Sequence, residues 1–131
     1  MIGLDTNVLV RYIMQDDAKQ SPKATRLIEA LTADDPGFVS IVSVVELGWV
    51  LSSSYSLTRE QLTQVYEALL RTKEIIIDRA DHVLKALRVF KATSADLADC
   101  LIECGGARAG CVCTMTFDAG AAKMTGMTLI H

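Results

Sequence analysis

Short apolar runs alternate along the chain with longer segments in which apolar residues recur every three to four positions. Three runs have the length and apolar centre of buried strands, at residues 2–4, 38–41 and 74–78. The segments between them have the spacing of amphipathic helices. Because strands separated by helices pair in parallel through right-handed crossovers, the pattern predicts an α/β fold.

Local signals predict where the helices start. Ser21-Pro22 predicts one start, with serine as the N-cap and proline in the first turn. Ser43 predicts the start of a helix that runs to about residue 54, and Thr58-x-x-Gln61 is the pattern of a capping box that opens another. Further helices are predicted over residues 8–14, 81–91 and 119–124, and from Ser94-Ala95-Asp96 to an exit at Gly105-Gly106.

The last part of the chain predicts two more strands. Residues 111–114 follow Gly110 and form the fourth predicted strand, and residues 127–130 follow a helix stop at Gly126 and form the fifth. The sequence contains no internal repeat, linker or low-complexity segment. The chain of 131 residues is therefore expected to form a single domain over residues 1–131.

The composition is that of a globular protein, with 50% apolar and 22% charged residues. A net charge of -3 and a pI near 5.3 exclude a surface that is basic throughout, although a local basic rim is compatible with them. The sequence shows neither a secretory leader nor an uninterrupted apolar run of about 18 residues. We therefore expect a cytoplasmic protein without a membrane-spanning segment.

Four cysteines lie close together in the sequence, at Cys100, Cys104, Cys111 and Cys113. Their clustering is compatible with a zinc site, but their spacing lacks the two-residue knuckle of structural zinc sites. Cytosolic thiols usually stay reduced and pack as small apolar groups. We expect these cysteines to serve packing.

Two aspartates directly follow predicted strands. Asp5 follows the first strand and Asp118 the fourth. Side chains just past the carboxyl ends of parallel strands face the crevice in which ligands bind. Both could instead cap the helices that follow, since aspartate accepts hydrogen bonds from the first helical N–H groups.

Glu46 is the only charged residue between Phe38 and Leu51. Apolar residues surround it at every helical angle, so the predicted helix has no solvated face for it. One explanation is a capping box, Ser43-x-x-Glu46, in which the glutamate accepts the Ser43 N–H. The other is that the carboxylate serves a binding site.

Three acids form a stripe on the predicted helix after residue 94. At about 100° per residue, Asp96, Asp99 and Glu103 fall within about 60° of one another, with no lysine or arginine among them. Many acidic stripes are only solvated faces. Like charges at this spacing nevertheless cost about 0.2–0.5 kcal/mol per pair, which favours a cation nearby.

The topology predicts that Asp5, Glu46, Asp96, Asp99 and Asp118 face one crevice at the carboxyl edge of the sheet. Carboxylates gathered without counterions repel one another and are stable together only around a cation. Ligation by oxygen alone selects Mg²⁺ or Mn²⁺ over zinc, and Mg²⁺ often adds substrate phosphate oxygens to its coordination shell. The acids therefore indicate phosphate chemistry.

Four motifs in this order resemble a known family. The motifs are Asp5-Thr6-Asn7 after the first strand, Ser43-x-x-Glu46, the segment 95–102 with Asp96 and Asp99, and Thr116-Phe117-Asp118. Together they resemble the PIN-domain nucleases, specifically the VapC-type toxins of type II toxin–antitoxin pairs. The resemblance covers essentially the whole chain. It implies a PIN-like three-layer α/β fold with a mostly parallel sheet of about five strands flanked by helices.

The resemblance also implies roles for individual residues. Metal-binding and catalytic acids fall on Asp5, Glu46, Asp99 and Asp118, with Asp96 as a further or alternate ligand, and the implied cofactor is Mg²⁺ or Mn²⁺. Supporting residues around the metal would be Thr6, Asn7, Ser43 and Thr116. Candidate RNA contacts are Arg11, Arg108 and Lys123.

The implied function is metal-dependent endoribonuclease activity on RNA phosphodiester bonds, as the toxin of a VapBC-type pair. The implied partners are an RNA substrate, a small VapB-like antitoxin whose C-terminal segment lies across the groove, and a second copy of the chain in a homodimer. Two alternatives stay open: a PIN-fold ribonuclease of RNA processing without a toxin role, and a non-enzymatic Mg²⁺-binding α/β signalling or binding domain. A phospho-acceptor domain would require paired acids after the first strand, where this chain has Asp5-Thr6-Asn7.

Overall fold

The computed structural model describes residues 1–131 and contains five strands that are separated by one or two helices each, seven helices in all. No helix is both long enough and apolar enough to cross a membrane. The α/β prediction is confirmed. The elements are β1 (Ile2–Gly3), α1 (Thr6–Met14), α2 (Gln20–Glu29), β2 (Gly37–Val39), α3 (Ile41–Ser53), α4 (Arg59–Arg71), β3 (Ile75–Ile77), α5 (Ala80–Ala92), α6 (Leu97–Arg108), β4 (Met115–Thr116), α7 (Ala119–Thr125) and β5 (Thr128–Leu129).

The chain folds as two compact units, Met1–Asp78 and Arg79–His131. All five strands pair in parallel, three in the first unit and two in the second. This arrangement agrees with the predicted parallel α/β class. The prediction of one domain over the whole chain stays a prediction.

The first unit is built on a sheet in the order β1-β2-β3. Gly37, at the start of the central strand, pairs with Ile2 on one side and Ile75 on the other. A Cβ at Gly37 would lie 2.7 Å from Leu4 Cδ1 and 2.9 Å from Leu31 Cδ1, so glycine lets these side chains close over the sheet. Because the strands are parallel, their carboxyl ends share one edge.

The core of the first unit is formed by apolar side chains of the sheet and of helices α1, α3 and α4. Leu9, Val39, Leu47 and Leu51 are fully buried. The α4 helix begins at the predicted capping box, in which Thr58 Oγ1 accepts the Gln61 N–H at 3.2 Å and Gln61 Oε1 accepts the Thr58 N–H at 2.9 Å.

The second unit combines a two-stranded parallel sheet, in which Met115 pairs with Thr128, and three helices. Helices α5 and α6 pack against each other through buried residues that include Val83, Leu87 and Cys100. The α7 helix ends at Gly126, whose positive φ of 87° is the left-handed conformation that glycine adopts without strain. The stop predicted at Gly126 is confirmed.

Two helix starts predicted from a serine cap are wrong, and α1 also begins earlier than predicted, at Thr6 instead of residue 8. The α3 helix begins at Ile41, and its N-cap is Ser40, whose Oγ accepts the Ser43 N–H at 3.2 Å. The α2 helix begins at Gln20 instead of after Ser21. Asp17 Oδ1 supplies the acceptor at its start, with hydrogen bonds from the N–H groups of Lys19 and Gln20 at 2.9 and 2.7 Å. In both cases an acceptor earlier in the chain satisfies the first free N–H groups.

The fourth predicted strand is also misplaced. The α6 helix continues through Gly105 and Gly106 to Arg108. It closes around Gly110, at φ +93°, with hydrogen bonds from the Gly110 N–H to Ala107 O and from the Cys111 N–H to Gly106 O. This is the pattern of a Schellman motif. Since the chain is still closing the helix at residue 111, strand β4 starts only at Met115.

Gly48 provides a test of packing in the first unit. It lies on α3, where a Cβ would collide with the hydroxyl of Tyr66 on α4. That hydroxyl is buried and donates to Val44 O at 2.5 Å. Glycine to alanine in a helix interior ordinarily stabilises by about 1 kcal/mol. We expect Gly48→Ala instead to lower the free energy of unfolding in urea by about 1–3 kcal/mol, because of overpacking.

The control is the same substitution in a Tyr66→Phe background, which lacks the colliding oxygen. The cost of Gly48→Ala should be smaller there, and the double-mutant cycle measures the coupling. A stability gain for Gly48→Ala in the natural background would contradict this account of the α3–α4 contact.

Candidate functional site

Polar residues follow each of the three strands of the first unit at the carboxyl edge of its sheet. Asp5 follows β1, Ser40 follows β2 and Asp78 follows β3. Asp5 caps α1 and Ser40 caps α3, while Asp78 Oδ2 accepts the Ile41 N–H at 3.2 Å. Ser40 and Asp78 were not predicted as site residues. The signal that could have identified them is the one used for Asp5, a polar residue directly after an apolar run.

Asp5 serves as a helix cap and still keeps a free oxygen. Its Oδ1 accepts the Thr6 N–H at 2.7 Å, whereas Oδ2 accepts no hydrogen bond within the protein. The residue is exposed. The capping and ligand interpretations of Asp5 are therefore compatible, because each uses a different carboxylate oxygen.

Thr6 is buried directly beside Asp5, with 4% of its surface exposed, and its hydroxyl has no hydrogen-bond partner. A buried polar group without a partner costs about 1–3 kcal/mol. Such a group in a native structure often marks a position that a water or an ion satisfies. Asn7 is exposed, and its side chain makes no hydrogen bond.

Glu46 lies on an exposed face of α3. The prediction that this helix has no solvated face is wrong, because Val42 and Trp49, on either side of Glu46, are 72% and 69% exposed. The helix buries only the stripe of Val44, Leu47 and Leu51 and carries more apolar residues than that stripe needs. The capping box with Ser43, one of the two explanations for Glu46, does not form, since Ser40 is the cap. Glu46 therefore has no structural partner that explains it.

In the second unit, two aspartates cap helices in the same way as Asp5. Asp96 Oδ1 accepts the Ala98 N–H at 2.9 Å, and Asp118 Oδ1 accepts the Ala121 N–H at 3.0 Å. The Asp118 N–H donates in turn to Thr116 Oγ1 at 3.0 Å, which orients the capping residue. Each aspartate keeps its second oxygen free of hydrogen bonds within the protein.

Asp99 lies in the first turn of α6 and makes no hydrogen bond. Its partial burial, and then the charges of Asp96 and Asp118, raise the pKa of its carboxyl above the ordinary value. No lysine or arginine forms an ion pair with any of the three. The second unit thus brings Asp96, Asp99 and Asp118 close enough to repel one another.

The donor set fits a hard divalent cation, since it consists of carboxylate oxygens without counterions. No group of three or more His, Cys, Asp or Glu side chains is arranged to hold a metal ion. The acids are thus present and unpaired, while their ligating geometry is not preformed. The buried hydroxyl of Thr6, next to Asp5 in the chain, is a further polar group with no partner in the protein.

The three candidate RNA contacts have different surroundings. Arg11 donates to Asp16 Oδ1 at 3.2 Å, and Arg108 pairs with Asp81 Oδ2 at 2.5 Å on the surface of the second unit. Lys123 is exposed on α7 and has no partner in the protein. The charge of Lys123 is therefore uncompensated, while Arg11 and Arg108 each face a carboxylate.

The four cysteines form no disulfide bond, and they fall into a buried pair and an exposed pair. Cys100 and Cys104 are buried on α6, which confirms the packing prediction for this pair. Cys111 and Cys113 are exposed, so the packing prediction is wrong for them. The reason is the helix closure at Gly110, which leaves residues 111–114 in a loop instead of a buried strand.

An apolar groove of about 530 Å³ lies in the first unit among helices α1, α2 and α4. Its lining includes buried Ile28, Leu69 and Ile75, with polar Gln61 and Gln64 exposed among them. A concave apolar surface with a few polar groups is typical of a binding site. This apolar groove was not predicted from the sequence.

The raised pKa of Asp99 predicts how pH affects the metal-free protein. A raised folded-state pKa means that the ionised carboxylate is less stable in the folded than in the unfolded chain, so stability falls as pH rises through that pKa. In EDTA, we expect Asp99→Asn to raise the melting temperature at neutral pH. The gain should vanish near pH 4 and below, where the natural carboxyl is increasingly protonated in both states.

The control is Asp34→Asn, which changes the same charge at an exposed residue with no partner. With Mg²⁺ at neutral pH the effect should change sign, because the natural protein then gains from ligand binding. An equal gain for both variants, independent of pH, would contradict repulsion at Asp99.

Comparison with known proteins identifies a family over nearly the whole chain. The model of the PIN domain matches residues 2–126. No curated protein is significantly similar to the chain. PIN domains are typically Mg²⁺-dependent nucleases. Because the match runs through both compact units and includes all five acids described above, the chain belongs to the PIN domain family.

Proposed function

We propose that this protein is a metal-dependent endoribonuclease. The observation that carries the proposal is that five acids each keep at least one carboxylate oxygen without a hydrogen-bond partner in the protein, and none of them forms an ion pair. They are Asp5, Glu46, Asp96, Asp99 and Asp118. Membership of the PIN domain family supports the same chemistry. Unpaired carboxylates cost stability, and a bound cation is the simplest reason for a chain to keep them.

Asp5 and Glu46 in the first unit and Asp96, Asp99 and Asp118 in the second are the candidate ligands of Mg²⁺ or Mn²⁺. When bound, such an ion would supply polarisation of a phosphate oxygen and a lowered pKa for the attacking water. Asp5, Asp96 and Asp118 each cap a helix with one carboxylate oxygen. Because this hydrogen bond already fixes the side-chain conformation, the second oxygen is available to a ligand at little further entropic cost. Thr116 adds a second restraint on Asp118 through the N–H of that residue.

The hydrogen bonds also suggest how Asp96 and Asp99 divide their roles. Asp96 is exposed and already uses Oδ1 as the cap of α6. Asp99 is half-buried and has both oxygens free. We propose Asp99 as the direct metal ligand and Asp96 as the carboxylate that supports it from the preceding turn.

The test is cleavage of single-stranded RNA in the presence of Mg²⁺, with EDTA and with Asp5→Asn. Asparagine caps a helix as well as aspartate does, so the variant should keep its fold. We expect EDTA to abolish cleavage and Asp5→Asn to reduce kcat by about a hundredfold or more, since it removes a ligand charge. Asp34→Asn, as the matched control, should cleave at the natural rate. Undiminished cleavage by Asp5→Asn would refute the assignment.

We further propose that the protein acts as the toxin of a VapBC-type pair. Two features support this role: the four motifs that resemble VapC-type toxins, and the apolar groove among α1, α2 and α4. An amphipathic helix is the partner that such a groove accommodates, with apolar side chains against Ile28, Leu69 and Ile75. A small antitoxin with such a helix would fit it. Homodimerisation stays a prediction from the resemblance.

The toxin role predicts that a charge in the groove releases inhibition without affecting catalysis. Ala68 is exposed in the groove, so Ala68→Glu should fold normally. We expect it to weaken binding of a cognate VapB-like antitoxin by about tenfold or more, because a buried unpaired charge is costly. Ala92→Glu, at an exposed helical alanine outside the groove, is the control. Equal binding by both variants would exclude the groove as the contact.

A further inference from the structure

A second concavity, the α1–α2 cavity, lies in the first unit and has a volume of about 290 Å³. This volume is near the lower end for pockets that bind small ligands, about 300–1,000 Å³. Its lining comes from two helices only, with Asn7, Val8 and Arg11 from α1 and Gln20, Lys23, Ala24 and Leu27 from α2.

The lining of the α1–α2 cavity combines three kinds of surface. Val8, Ala24 and Leu27 are apolar. Asn7 and Gln20 carry amides, and Arg11 and Lys23 carry positive charge. Apolar surface, amides and cations together are what a nucleotide requires, because a base needs a flat apolar contact and hydrogen bonds while its phosphate needs a cation.

The lysine in this cavity is uncompensated. Lys23 is exposed and makes neither a hydrogen bond nor an ion pair with the protein. The Asn7 side chain is equally free. These two polar groups are available to a ligand without breaking an existing contact.

Arg11 is held in place by neighbouring side chains. Its Nε donates to Gln20 Oε1 at 2.7 Å, and its Nη1 donates to Asp16 Oδ1 and to the Tyr55 hydroxyl, both at 3.2 Å. The Tyr55 hydroxyl also donates to Asp16 Oδ2 at 2.7 Å, which lowers the pKa of that carboxyl and keeps it ionised. Asp16 therefore offsets part of the arginine charge, but Nη2 of Arg11 keeps its donors free.

The position of the cavity links it to the candidate catalytic acids. Asn7 and Arg11 lie one helical turn apart on the same face of α1. Asp5 is the N-cap of that helix, so the cavity starts within a turn of it. A chain of nucleotides with one phosphate at Asp5 would have a neighbouring nucleotide within reach of the cavity.

We infer that the α1–α2 cavity binds a nucleotide of single-stranded RNA adjacent to the one that is cleaved. Its phosphate contacts Lys23 and Nη2 of Arg11, its base lies against the apolar wall, and Asn7 hydrogen-bonds to the edge of the base. This inference rests on the proposed nuclease function. An acidic peptide would use the same cations but would leave the amides and the proximity to Asp5 without a purpose.

The experiment measures binding of a fluorescently labelled single-stranded RNA in EDTA, which prevents metal-dependent cleavage, over a range of salt concentrations. We expect Lys23→Gln to weaken binding by about three- to tenfold and to lower the slope of log K against log salt by about 0.7, the value for one phosphate contact on a single strand. With Mg²⁺ present, the same variant should raise KM for cleavage more than it lowers kcat.

The matched control is Lys19→Gln, which removes the same charge at an exposed residue four positions earlier and outside the cavity. A second variant, Gln20→Glu, keeps the oxygen that accepts the Arg11 Nε–H and adds a negative charge to the wall. We expect it to weaken RNA binding at least as much as Lys23→Gln, while its melting temperature stays close to that of the natural protein.

The outcomes separate this inference from the nuclease proposal. If the natural protein cleaves RNA and both cavity variants behave like Lys19→Gln, the inference is overturned and the nuclease function stands. If Lys23→Gln leaves RNA binding unchanged and weakens binding of the antitoxin, the cavity is a protein contact and the inference is again overturned. If the natural protein neither binds nor cleaves RNA, both the nuclease proposal and this inference are refuted.

Discussion

A helix that begins directly after a parallel strand presents backbone N–H groups that have no partner within the helix, and something must accept them. This constraint organises both units of the protein. Asp5 after β1, Ser40 after β2 and Asp118 after β4 are the N-caps that meet it. Asp96 does the same where α6 follows a loop.

A carboxylate meets this need with one oxygen and leaves the other free. The same residue can therefore start a helix and supply a ligand, which is why the elements of the fold and the candidate site share their residues. Serine in the same position offers a single, neutral oxygen. Asp5, Asp96 and Asp118 thus differ from Ser40 in that each cap also carries a second, charged oxygen.

The acids impose a cost on the protein without metal. Asp99 is harder to ionise than an ordinary aspartate because it is partly buried near Asp96 and Asp118. The buried hydroxyl of Thr6 adds an unsatisfied polar group beside Asp5. Functional sites commonly contain such destabilising features, and a bound cation would relieve them. The features that lower the stability of the metal-free protein thus lie at, or next to, the residues proposed to bind the metal.

Helix α1 connects several of these features. Its N-cap is Asp5, and its residues Asn7 and Arg11 line the α1–α2 cavity. Further along, Tyr12 and Ile13 line the apolar groove. One short helix thus contributes to a polar cavity close to Asp5 and to an apolar groove.

The order of strands and helices follows from the sequence alone, because apolar spacing and turn residues are local properties. The same is true of the Thr58 capping box, the stop at Gly126 and the capping positions of Asp5 and Asp118. Each of these depends on residues within a few positions of one another, so no knowledge of the packing is needed to recognise them.

Other features depend on which surface a segment buries, and only the tertiary structure decides that. Ser40 rather than Ser43 caps α3, Glu46 lies on an exposed face beside Trp49, and Cys111 and Cys113 lie in a loop. The contact between Arg11 and Tyr55 joins residues far apart in the chain. An apolar pattern indicates how many side chains can be buried, but it does not indicate which of them are. Contacts between segments that are distant in the chain decide which side chains are buried.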